Sequence, residues 1–297
     1  AWWETMGQTI FLALSCFLIL QCSSALQPLA VSVLSKHNPD SWSDDAGCGE
    51  EGTLEFMQCN LRLYESAINT AASLGSEFII FPEAYGISGS VSSSSFIEPW
   101  ISDVNNDISP CDNSNSNSTP AQYILACAAR QYEITILANI FVSLSNGTNY
   151  INNVVYDTKG NSIATYTKNH LFPSEGRVFT AGPFNPTTFT IKDYVIGMII
   201  CYEGVYPEVT GDWSQMDTLK EMGSNTFAWS IGSFIPQPAS SEILTKKYNV
   251  GMFASEDYTY GVILDIGGVS YNTTDYRLDV DGNTGKAAVR FAHINQE

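Results

Sequence analysis

Two short segments constrain this chain more than anything else in it: EFIIF at 77–81 and YVIGMII at 194–200. A strand with one face in water alternates apolar and polar residues. These two run apolar almost without interruption, so both faces must be covered by other layers. The first run stops at Pro82-Glu83 and the second at Cys201. Buried parallel strands carry ligand sites at their carboxyl ends. The expected frame is therefore a mixed α/β domain whose central strands deliver reactive side chains to one opening.

The flanking sequence supports a parallel arrangement. LAVSVL at 29–34 reads as a strand. After a polar loop through Gly52, a helix follows in which Leu54, Met57, Leu61, Tyr64, Ile68 and Ala71 recur every three or four positions. Gly75 stands where a helix C-terminal cap belongs. Cys59 falls on the opposite side of that helix, a placement suited to a bridge with Cys48 in the preceding loop. Strand, helix and strand in this order imply a parallel pair. Downstream, Thr119-Pro120 offers an N-cap and a first-turn proline for a helix to about Gln131, followed by the strand ITILANIFV. NNVVYD and SIATYT, separated by the turn at 157–160, predict a hairpin added to the parallel core. TFTI, TFAWSI, GVILDI, RLDV and KAAVRF supply further strands around a helical LKEM segment. The Ser- and Asn-rich stretch from Ser88 to Thr119 reads as long loops of the kind that form lids. Phe96 and Trp100 within it are candidates for a pocket wall or for the core.

Charge narrows the partners. With 13 Lys+Arg against 31 Asp+Glu, the net charge of −18 argues against nucleic acid and anionic membrane surfaces, both of which need clustered positive charge. A small molecule is the expected partner. The apolar run IFLALSCFLIL at 10–20 is too short to span a bilayer and precedes Ser23-Ser24-Ala25, so residues 6–25 are expected to be a signal peptide and 26–297 one domain. Removal of that leader leaves Cys48, Cys59, Cys111, Cys127 and Cys201. An odd number in an oxidising compartment points to one free, reactive thiol. Sequons at Asn117, Asn146 and Asn272 agree with a secreted glycoprotein.

Amide hydrolysis by a thiol requires a base to form the thiolate, a positive group to hold the oxyanion and an acid for the departing amine. Glu83, Lys168 and Cys201 meet those demands. The three histidines, His37, His170 and His293, lack zinc-ligand spacing and offer few Cys-His pairings. No serine-hydrolase elbow or phosphate-cradling glycine loop is present.

The segments FIIFPEAYG, TYTKNHLFPSEG and YVIGMIICYEGVYPE together resemble the motif set of the nitrilase, or carbon–nitrogen hydrolase, superfamily. The helix QCNLRLYESAINTAASLG, SPC at Cys111 with LACAAR at Cys127, and YTKNHLF followed by Glu175 are most similar to its vanin and biotinidase branch. The resemblance implies an α-β-β-α sandwich and catalysis without metal or cofactor. It implies Glu83 as general base and acid, Cys201 as nucleophile, and Lys168 with the Tyr202 backbone N–H as oxyanion donors. Glu175 is a supporting glutamate, and Cys111 and Cys127 form a disulfide. The implied reaction is hydrolysis of a linear amide, as in pantetheinases and biotinidases. Two features depart from the branch. Glu203 stands where vanins carry aspartate, nearer to general nitrilase-family amidases, and the further C-terminal domain of vanins and biotinidase has no counterpart up to Glu297. An aliphatic or N-carbamoyl amidase, a true nitrilase, and a non-catalytic glycosylated binding protein that keeps the fold are the alternatives.

Overall fold

The computed structural model describes residues 26–36, 48–89, 95–102, 109–112, 117–232, 237–256, 261–264, 266, 268, 270–271, 273–278 and 287–294. The expected leader at 6–25 and the sequon at Asn272 lie outside them.

The first sheet is built around β1 (Leu29–Lys36), β2 (Phe78–Ile80), β3 (Glu98–Pro99), β4 (Thr135–Ser143), β5 (Asn149–Tyr156) and β6 (Ser162–Thr167). The second holds β7 (Thr188–Ile191), β8 (Tyr194–Ile200), β9 (Thr226–Ile231), β10 (Gly251–Glu256) and β11 (Val262–Leu264). Two last strands, β12 (Thr274–Arg277) and β13 (Ala287–Ile294), return to β1, along which β13 pairs antiparallel from Leu29 to Lys36. As expected, β1 and β2 are parallel, with Val31, Ser32 and Val33 opposite Phe78, Ile79 and Ile80. The β5–β6 hairpin extends that sheet antiparallel. The two sheets join where Ser35 at the end of β1 meets Glu256 of β10.

Side-chain alternation then sorts the apolar residues into three separate cores. Between the sheets, Val31, Val33, Phe78 and Ile80 from one face meet Ile196, Met198, Ile200 and Phe253 from the other. On the outer face of the first sheet, Ile79, Ile136 and Ala138 are covered by α1 (Leu54–Ser73), which is followed by the single-turn α2 (Tyr85–Ser88), and by α3 (Pro120–Gln131). On the outer face of the second, Ile199, Phe227, Trp229 and Met252 lie under the pair that follows the short α4 (Tyr206–Thr210), namely α5 (Ser214–Glu221) and α6 (Gln237–Tyr248). The layers run helix, sheet, sheet, helix, which is the sandwich that the resemblance implied. It explains the sequence feature that mattered most: with Met198 and Ile200 facing one core and Ile199 the other, no position in YVIGMII is left for a polar residue.

Local expectations met different fates. The end of α1 is capped by Gly75 at φ 81°, with the Gly75 and Ser76 N–H groups donating back to Ala72 and Ala71; the positive φ is what calls for glycine. Cys48 and Cys59 are bonded, with Cα atoms 5.4 Å apart, as are Cys111 and Cys127 at 4.8 Å. Cys59 is nonetheless buried rather than on an open side, so the covered arc of α1 is wider than its apolar stripe. Thr119 is the N-cap of α3 and Pro120 stands in its first turn, as expected, but Thr119 makes no side-chain capping bond. The buried carboxylate of Glu98 accepts the N–H groups of Ala121 at 2.9 Å and Gln122 at 3.1 Å instead, plus Gln122 Nε2 at 2.8 Å. A carboxylate suits a helix N-terminus because four N–H groups there lack helical acceptors and the dipole is positive. Within the stretch read as loops, the described residues include the last residue of α2, β3 and a turn of 3₁₀ helix at Pro110–Asp112. Phe96 and Trp100 are partly buried and pack against the outer core of the first sheet.

Candidate active site

Four side chains distant in sequence meet where strands of the two sheets end. Glu83 follows β2, and its backbone N–H donates to Ile231 O at the end of β9, a link between the sheets. Lys168 follows β6 and is anchored by its own N–H to Ile151 O. Glu175 opens a 3₁₀ turn, Glu175–Arg177, and Cys201 opens another, Cys201–Gly204, directly after β8.

The Lys168 ammonium lies 2.7 Å from Glu83 Oε1 and 2.7 Å from Glu175 Oε1. Lysine and Glu83 have no solvent exposure at all, while Cys201 retains 8%. Burial works to lower the lysine pKa, but the charges of Glu83 and Glu175, and that of the Cys201 thiolate once it forms, override it and hold the ammonium well above its ordinary value. The opposite balance acts on Glu175, where burial, aided by Glu83, raises the carboxyl against the pull of Lys168. Burial also raises the Cys201 thiol well above the ordinary range, with the Glu83 charge adding to it and Lys168 opposing. A thiol so placed rests protonated near neutrality. It becomes a nucleophile only as a base removes its proton. Glu83 lies close enough for its charge to act on that thiol. Its Oε2 accepts no hydrogen bond among the described residues, whereas Oε1 is taken by the ammonium. A base, a fixed cation and a thiol gathered at one place are what acyl transfer needs.

Cys201 is the free cysteine among the described residues. Its φ is 46°, in the left-handed region that a side chain adopts only at a cost of about 1–2 kcal/mol. Two neighbours hold it there. Trp229 Nε1 donates to Cys201 O at 2.9 Å. The fully buried Glu203 carboxylate accepts Ile200 N at 2.9 Å through Oε2, and through Oε1 accepts Asn169 N at 2.8 Å, His170 N at 3.1 Å and Tyr166 Oη at 2.6 Å. One carboxylate thus ties the residue before Cys201 to the residue after Lys168. Gln215 Nε2 completes the hub, donating to Tyr166 Oη at 2.8 Å. A second device sits under Glu83: the Ala84 N–H donates to Asn139 Oδ1 at 3.0 Å, and Asn139 Nδ2 donates to Asn153 Oδ1 at 2.8 Å. None of these supports was foreseen. Their only trace in the sequence is polar residues inside apolar strands, the Asn of ITILANIFV and of NNVVYD, and the Glu of CYE.

At the outer edge, Phe172 and Tyr202 meet edge to face, as do Tyr202 and Tyr206, and His170 stacks on Tyr206 at 4.0 Å. Phe172 is 49% exposed, so this aromatic wall faces solvent in the segments next to Lys168 and Cys201. Asn117 and Asn146 are exposed. No described helix is long and apolar enough to cross a membrane, and no metal-binding cluster occurs among the described residues.

Comparison with known proteins agrees with this geometry. Pantetheinase from Bos taurus is 30% identical over 177 residues, 54% of this chain and 34% of that protein. Pantetheinase from Mus musculus is 30% identical over 211 residues, 60% of this chain and 41% of that protein. Biotinidase from Bos taurus is 30% identical over 138 residues, 41% and 26% respectively. The matched region thus spans well under half of each relative. In structure, the amidase from Nesterenkonia sp. AN1 in complex with acrylamide superposes with a TM-score of 0.62 at 14% identity, covering 91% of this chain and 92% of that one. A likeness at that identity is one of fold, and it is the sandwich described above. Residues 55–218, which include Glu83, Lys168, Glu175 and Cys201, match the carbon-nitrogen hydrolase family, and with more than half of its length so matched this chain belongs to that family.

Proposed function

We propose that this protein is a secreted cysteine amidohydrolase that cleaves a linear amide in the manner of a pantetheinase or biotinidase. The observation that carries the reading is the Lys168 ammonium held 2.7 Å from both Glu83 and Glu175 beside the one free cysteine among the described residues.

In this mechanism Glu83 takes the Cys201 proton as sulfur attacks the amide carbon, and the carbonyl oxygen becomes an oxyanion held by Lys168 and the Tyr202 N–H. Glu83 returns the proton to the nitrogen, the C–N bond breaks, and the amine departs, leaving a thioester. Glu83 then deprotonates a water that attacks the thioester carbon, releasing the acid and restoring the thiol. Glu175 fixes the lysine against Glu83, which matters because an oxyanion donor works only when oriented in advance. The aromatic wall favours a substrate with an uncharged, apolar segment near the scissile bond, and the net charge of −18 disfavours an anionic one. Pantetheine is placed ahead of biocytin because pantetheinase from Mus musculus matches 60% of this chain and biotinidase from Bos taurus 41%.

Secretion is supported by the two disulfides, which persist in oxidising compartments, and by exposed Asn117 and Asn146 in sequons. The test of substrate is turnover of pantetheine, biocytin, a simple aliphatic amide and a simple nitrile side by side, with amine or ammonia release measured. Release of cysteamine from pantetheine at the highest kcat/KM is the expected result. Turnover of the nitrile alone would contradict the reading.

A further inference from the structure

Trp229 does more than fill space between the second sheet and its helices: we infer that it is the positioning residue that aims the Tyr202 N–H at the developing oxyanion. The inference rests on the amide-hydrolase reading of the site. Trp229 is fully buried on β9, and its indole Nε1–H donates to the Cys201 carbonyl at 2.9 Å. That carbonyl and the Tyr202 N–H belong to one planar trans peptide, so they point in opposite directions and cannot turn independently. Fixing one fixes the other.

The layers supply the direction. Trp229 lies in the outer core beneath α5 and α6, whereas the Cys201 side chain lies in the core between the sheets. A carbonyl drawn outward to the indole leaves the N–H on the side of the thiol, where the substrate carbonyl must sit. The tether is needed because Cys201 is held at φ 46°, a conformation from which the peptide gains energy by relaxing.

Gly204 shows that room for the indole is built in. A Cβ at that position would meet Trp229 Cζ2 at 2.2 Å and Cε2 at 2.3 Å, far inside any real contact. Glycine here is demanded by the close approach of the ring. The glycine of CYEG and the tryptophan of TFAWSI therefore act as a pair, one making space for the donor that the other supplies.

Trp229→Phe removes the donor and keeps most of the ring. Two rates should then part company. Turnover of pantetheine should fall about 10- to 100-fold in kcat with KM little changed, less than the on-the-order-of-100-fold or greater loss typical when an oxyanion donor is deleted outright. Alkylation of Cys201 by iodoacetamide forms no oxyanion and should keep its wild-type rate. An unchanged kcat, or alkylation slowed as much as kcat, would show that Trp229 acts through packing and would overturn the inference. A measurement on the wild-type protein covers the case in which Trp229→Phe does not fold. Butyraldehyde added to the Cys201 thiol places a thiohemiacetal oxygen at the Tyr202 N–H, which polarises the shared peptide and should move the Trp229 indole N–H resonance downfield. An adduct on Cys201 with no such movement overturns the inference too. Wild-type protein that turns over no amide and forms no adduct overturns the proposed reaction itself, and this inference with it.

Discussion

Glu83 and Glu98 are both fully buried carboxylates of the first sheet, and they are held in opposite ways. Glu83 has a cation at 2.7 Å, a thiol beside it and one oxygen with no other bond among the described residues. Among the described residues Glu98 has no cation in contact, and it instead accepts three N–H bonds at the start of α3. Burial raises its pKa to about 7, against the pull of Gln122 and the Ala121 and Gln122 N–H groups. The difference separates chemistry from architecture. A carboxylate whose bonds are all spent on a helix end is a cap; one left with a free oxygen facing a nucleophile is available to move a proton.

The sharpest way to break this contrast is Lys168→Met. Loss of the oxyanion cation should cut kcat by at least about 100-fold. It also leaves Glu83 and Glu175 buried without a counter-charge, which should cost about 3–5 kcal/mol in denaturant unfolding. Normal turnover by folded Lys168→Met would remove lysine from the site's chemistry. Glu98→Gln, which mimics the protonated carboxyl, should leave turnover near wild type. The stability effect of Glu98 depends on pH. Its folded pKa, about 7, exceeds the ordinary 4.5, so its contribution is full below 4.5 and is lost as pH rises through 7. By linkage that loss amounts to roughly 3 kcal/mol, and a stability profile of Glu98→Gln should lack this slope. A large fall in turnover for Glu98→Gln would erase the distinction between the two carboxylates.

The disulfides test the same separation at the level of the chain. Cys111→Ser with Cys127→Ser opens a loop with a sequence separation of 16 and should cost about 3 kcal/mol, with kcat preserved for the folded fraction. The smallest effect is expected at Asp112, whose carboxylate pairs with Arg130 at the surface. Asp112→Asn should move the thermal midpoint by far less than Lys168→Met does, because water and salt already screen that pair.

The sequence disclosed those features whose physics is local. Runs with no polar position marked β2 and β8 as buried on both faces, and the Gly75 cap and both cysteine pairs followed from spacing or resemblance. Features that depend on tertiary partners were illegible. Helix α6 escaped because its buried side mixes Ser240, Ser241 and Thr245 with Leu244 and Tyr248, which leaves no continuous apolar stripe in QPASSEILTKKY. Strand β10 escaped because GMFASE is short, opens on glycine and ends in polar residues that bond across the sheets, Ser255 to Leu34 O. In the site, Glu83, Lys168 and Cys201 were nameable in advance, whereas Glu203, Trp229 and Asn139 were not. Their roles consist in bonds to backbone groups brought near only by folding, such as Glu203 to the Asn169 N–H and Trp229 to the Cys201 carbonyl.

The central claim is that Cys201 is acylated in each turnover. Intact-mass analysis of protein mixed briefly with pantetheine and quenched in acid tests it most directly. A population heavier by the pantothenoyl group is expected, with the added mass mapped to the peptide carrying Cys201 and absent from Cys201→Ser. Cysteamine release with no acylated protein at any time, or acylation at another residue, would contradict it.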